Sequence, residues 1–129
     1  MSLATIDLDF TRENLDHDPE LVLELIQIAI EDLPSLANQL RDALSSTETV
    51  RFRWLAHAIK GLASNFRAEP LTRLASQLEM TNAEQQKFAL QQLVDELSVA
   101  CESTVLALRS ELQLDPKPKE SFDENAAQK

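Results

Sequence analysis

At 129 residues, 43% of them apolar, the chain has the length and the apolar content for one packed domain. A single glycine, five prolines and no tyrosine leave little turn chemistry for hairpins, while the abundant leucine, alanine, glutamine and glutamate favour helix. An all-α protein is therefore predicted, and a net charge of -10 argues against nucleic acid and anionic membrane surfaces as partners.

Residues 3–15 are ambiguous, since Ile6, Leu8 and Phe10 alternate but a lone strand has nothing to pair with. An extended arm or a short helix near residues 10–15 is expected. Asp18, Pro19 and Glu20 then read as a helix start, with Asp18 as N-cap and Pro19 at the first helical position. Leu21, Leu25, Ile28 and Leu33 give that helix a stripe, widened by Val22, Ile26 and Ala29. Pro34 is expected to bend it, because the pattern resumes through Leu36, Leu40 and Leu44. Ser45, Ser46 and Thr47 form a turn and N-cap cluster before a helix over residues 48–66. Pro70 opens the next helix, with Leu71, Leu74 and Leu78 as its stripe and Ala75 beside it. Asn82-Ala83-Glu84-Gln85 has capping-box spacing and begins a last helix over residues 83–112. The predicted fold is an antiparallel up-down-up-down four-helix bundle with a short N-terminal arm or helix. Residues 1–114 form the bundle, and the Pro- and Lys-containing end, 115–129, reads as a disordered tail.

One cysteine, Cys101, excludes an intrachain disulfide and a multi-cysteine metal site. With no apolar run long enough to span a bilayer and no signal-peptide pattern after Met1, a cytoplasmic protein is expected.

Charge is unevenly spread. Between Arg51 and Arg73, five cations (Arg51, Arg53, Lys60, Arg67, Arg73) meet one acid, Glu69. This basic segment holds His57, and the chain's one glycine, Gly61, follows it four residues on. A glycine within a helix costs about 1 kcal/mol relative to alanine. At about 100° per residue with Leu55 as zero, Phe52, Ile59, Leu62 and Phe66 join Leu55 in the core stripe. His57 falls at about 200°, facing solvent, among Arg53, Lys60, Ser64 and Gly61, with Trp54 on the flank. Residues i, i+3 and i+4 share a helix face, so Lys60 and Gly61 adjoin the imidazole.

A solvent-facing histidine is ordinarily a plain surface residue. Here the costly neighbouring glycine, the cation at i+3 and the basic surroundings point to chemistry. Metal binding does not fit: His17 is remote, and no histidine or acid lies at i±3 or i±4 of His57. Hydrolysis does not fit either, for want of an oriented nucleophile and a pocket. The imidazole remains as a covalent nucleophile, with Lys60 to steady an anionic group and Gly61 to admit a partner.

The run Leu55-Ala56-His57-Ala58-Ile59-Lys60-Gly61-Leu62-Ala63-Ser64-Asn65-Phe66-Arg67-Ala68-Glu69-Pro70-Leu71, followed by Leu74 and Leu78-Glu79, resembles the histidine-containing phosphotransfer (HPt) domain. The resemblance extends over roughly residues 10–112. It implies a four-helix bundle, His57 as phosphoacceptor, Lys60 as the phosphoryl-supporting lysine and Gly61 as clearance for a receiver domain. It also implies a phosphoryl carrier without kinase or ATPase activity and without a cofactor or metal of its own. The expected partners are the receiver domains of hybrid sensor kinases and response regulators, docking on Gly61, Arg53, Trp54, Ser64 and Arg67 of a monomer. In one respect the chain departs from the family, which usually has Gly-Ala where Arg67-Ala68 stands. Arg67 either adds a second cation, obstructs some receivers, or is a plain arginine at a helix end. The expected function is a stand-alone phosphotransfer protein of a multistep phosphorelay. The alternative is a non-catalytic helical adaptor that binds an acidic partner through the basic 51–73 face.

Overall fold

The computed structural model describes residues 6–81 and 87–114, which form five helices and no strand. They are α1 (Leu8–Asn14), α2 (Pro19–Ser45), α3 (Thr49–Ser64), α4 (Glu69–Glu79) and α5 (Lys87–Leu114). The expected capping box at 82–85 and the expected tail at 115–129 lie outside the described residues. Helix α2 packs on α3 and α5, and α4 packs on the same two, so the four long helices enclose one core, with α1 resting against α2. Phe66, Leu33, Leu40, Leu55, Ile59 and Leu97 are among its fully buried side chains. Each such side chain contributes roughly 1.5–3 kcal/mol relative to exposure.

The helix starts follow the local chemistry. The Asp18 carboxylate accepts from the backbone N–H groups of Glu20 and Leu21 at 3.0 and 3.3 Å, with Pro19 next in line. The N-terminal arm is helical because Asp7 caps it, accepting from Phe10 N–H at 3.1 Å.

Pro34 lies inside α2, a single helix from Pro19 to Ser45, through which the apolar pattern continues as expected. Packing on two neighbouring helices offsets the backbone hydrogen bond that proline removes. Two expectations need correction. The buried stripe of α2 is Val22, Ile26, Ala29, Leu33, Ala37, Leu40 and Leu44, whereas Leu21 and Ile28 are exposed. The three- and four-residue steps of that stripe outweigh the size of any one leucine. The 45–47 cluster does not cap α3, because Ser45 still belongs to α2 and Glu48 precedes α3 without a side-chain cap.

Thr47 instead ends α2. It has φ 56°, its N–H bonds to Leu44 O, and Glu48 N–H bonds to Ala43 O. That pair of bonds around a left-handed residue is a Schellman closure. The same closure ends α1 at Asp16 (φ 54°) and α3 at Arg67 (φ 52°). Three positions that favour glycine thus hold aspartate, threonine and arginine, at roughly 1 kcal/mol each.

Candidate functional site

The exposed face of α3 carries Arg53, His57, Lys60 and Ser64 at steps of three and four, so they form one stripe, and Arg67 follows beyond the helix end. Opposite it, Phe52, Leu55, Ala56, Ile59 and Ala63 are buried. His57 keeps 64% of its side chain in solvent, and Trp54, also 64% exposed, stands beside it on the flank. Arg53 and Gly61 are exposed as well.

Glu79, the last residue of α4, reaches across to this stripe. Its Oε2 lies 2.6 Å from His57 Nδ1, and its Oε1 lies 2.7 Å from Lys60 Nζ. One carboxylate therefore joins the imidazole and the ammonium. Oε1 is screened from solvent by its surroundings, and the ammonium approaches it off the best hydrogen-bond direction, so that contact is an ion pair first. Lys60 is the main cause that holds the Glu79 carboxyl below its usual range; desolvation opposes it and His57 adds to the lowering. An ionised carboxylate accepts only, so the Nδ1 proton sits on the ring and is donated to Glu79. The Nε2 of a neutral ring then carries the lone pair.

Spacing around His57 reveals only acids on its own helix, and so does not reveal Glu79. The carboxylate arrives from 22 residues away, through the packing of α4 on α3. Its one signal was the Leu78-Glu79 pair that closes the leucine-rich helix. One imidazole and one carboxylate do not make a metal site, and no cluster of three metal-ligating side chains occurs among the described residues. Cys101 is buried in the core, and its thiol is pushed up to about 12, mainly by desolvation.

Gly61 has helical backbone, and a Cβ built on it meets nothing within 4 Å. Neither conformation nor packing within the chain requires glycine there. Ser64 Oγ and Asn65 Nδ2 donate to the Gly61 carbonyl at 2.9 and 3.3 Å, which satisfies an orphan acceptor at the end of α3.

Arg67 is neither beside His57 nor idle. Its guanidinium lies over the Phe10 ring, 4.6 Å from the centroid, and 3.8 Å from Asp7 Oδ2. It fastens α1 to the end of α3, together with Asp7 N–H to Phe66 O at 2.8 Å and Thr11 Oγ1 to Asn65 O at 2.7 Å.

A family model described as the Hpt domain matches residues 24–114. The chain belongs to the Hpt domain family. The HPT domain of a sensor hybrid histidine kinase from Shewanella has the same fold, with a TM-score of 0.71 at 19% identity, covering 88% of this chain and 97% of that one. No curated protein matches the sequence. Hpt domains carry phosphoryl groups in two-component phosphorelays, work with the receiver domains of kinases and response regulators, and are not kinases; the phosphotransfer role comes with membership. The left-handed backbone at Arg67 also explains the glycine that an Hpt domain usually has there. Among the described residues no helix is long and apolar enough to cross a membrane.

Proposed function

We propose that this Hpt protein is a phosphoryl carrier in its own right, which takes the group onto His57 Nε2 from one receiver aspartate and passes it to another. The carrying observation is the 2.6 Å contact between Glu79 Oε2 and His57 Nδ1. It fixes the ring with Nδ1–H inward, which leaves Nε2 as the nucleophile on the exposed side. In the transfer, the Nε2–P bond forms as the P–O bond of the aspartyl phosphate breaks, and the electron pair leaves on the aspartate carboxylate. The ring becomes cationic, and its Nδ1–H lies against the Glu79 carboxylate, which stabilises that charge. Lys60, one turn along the helix, turns its ammonium toward the phosphoryl oxygens. Passing the group on reverses these steps.

Gly61 gives the receiver close approach, since the fold itself has no use for a missing side chain at that position. Arg53, Trp54 and Ser64 extend the contact along the exposed stripe. Short connections and the Arg41–Asp95 ion pair at 3.1 Å between α2 and α5 support an antiparallel up-down-up-down arrangement. We take residues 1–114 as the folded unit.

The test is label transfer. A receiver domain phosphorylated with labelled acetyl phosphate should pass the label to the chain as an acid-labile, base-stable phosphoramidate. His57→Gln should accept none. Acid-labile label that persists in His57→Gln overturns the assignment.

A further inference from the structure

The His57 stripe does not end at Lys60. It runs into an open groove of about 560 Å³ between the end of α3, the outer face of α4 and the N-terminal helix. Lys60, Arg67 and Arg73 line it against one acid, Glu69, and Phe10 and Met80 supply apolar surface. Met80 is 80% exposed, and Arg73 is exposed with no ion-pair partner among the described residues. Phe10 is in place because α1 is fastened by the Asp7, Thr11 and Arg67 contacts. Helix α1 precedes residue 24, where the family match begins.

We infer that α1 and Arg67 build a selectivity wall: the groove receives an acidic, partly apolar rim of the receiver domain docked on His57, and so helps to decide which receivers exchange phosphoryl groups with this chain. The inference rests on the phosphotransfer reading. Lys60 belongs to both places, so a receiver centred on His57 and extending toward the end of α3 covers the groove. Lys60 is paired with Glu79 and Arg67 with Asp7, so the exposed Arg73, with no ion-pair partner among the described residues, is the cation an acidic occupant meets. Exposed Met80 beside the Phe10 ring adds an apolar contact at the same edge.

The test uses the full chain and a panel of isolated receiver domains, each phosphorylated by acetyl phosphate with Mg²⁺. Transfer rate is followed against receiver concentration for the unsubstituted chain, Arg73→Glu, Phe10→Ala and the control Arg109→Glu on α5. For the receiver used best, Arg73→Glu and Phe10→Ala should each raise the half-saturating concentration about tenfold at an unchanged saturated rate. Arg109→Glu should change neither, and the preference among receivers should narrow in the two groove variants. Unchanged half-saturation in both groove variants overturns the wall, as does a loss confined to the saturated rate. If no receiver labels the unsubstituted chain, the phosphotransfer reading itself fails, visibly before any variant is compared, and the wall falls with it.

Discussion

At the scale of single residues, glycine placement carries the most information. The backbone adopts the left-handed conformation at Asp16, His17, Thr47 and Arg67, yet the one glycine sits at Gly61, where φ is helical and a side chain would meet open space. A feature that weakens the helix and serves no internal contact points outward, to a partner. Gly61→Ala should therefore stabilise the chain by about 0.5–1 kcal/mol in denaturant unfolding. Gly61→Leu should keep the fold and block transfer, and equal transfer rates in that variant would count against the clearance. Arg67 presents the reverse case, a strained backbone offset by the Phe10 and Asp7 contacts. Arg67→Ala keeps the strain and loses the contacts, whereas Arg67→Gly loses both, so the glycine variant should be the more stable of the two by about 1 kcal/mol. Glu79 adds a pH signature. Its folded pKa is lowered, so its ion pairs contribute fully above the ordinary value of 4.5 and are lost as pH falls from there through the folded value. The melting-temperature gap between the chain and Glu79→Gln should be present at neutral pH and close on acidification below 4.5.

At the scale of elements, sequence pattern was most legible where chemistry is local. Asp18 and Pro19 start α2 because cap and first-turn proline act within three residues. The core face of α3 follows from its periodicity alone, and so does the exposure of His57. What depends on packing was not legible. The choice between an extended arm and a short helix stayed open at the N-terminus, and what packing adds is the place of α1, held by bonds to residues 65–67. Glu79 joins the site because α4 lies on α3, which no spacing within α3 reveals. Pro34 lies within α2, as the apolar pattern that resumes after it indicates. Its ring denies the Ile30 carbonyl an N–H, so Pro34→Ala should raise stability by about 1–3 kcal/mol, measured by thermal or urea unfolding.

At the scale of the whole molecule, the core fixes α3 and α4 so that one stripe of cations and one carboxylate surround an exposed imidazole, while acids prevail elsewhere in the chain. On the proposed reading, that asymmetry would steer acidic receivers toward His57. On that reading, Glu79 commits the imidazole to one reactive nitrogen. That commitment is tested most directly by NMR on the chain after phosphorylation by a receiver, reading which ring nitrogen bonds phosphorus. Phosphorus is expected on His57 Nε2, with the Nδ1 proton retained against Glu79. Phosphorus on Nδ1, or on any residue other than His57, contradicts it.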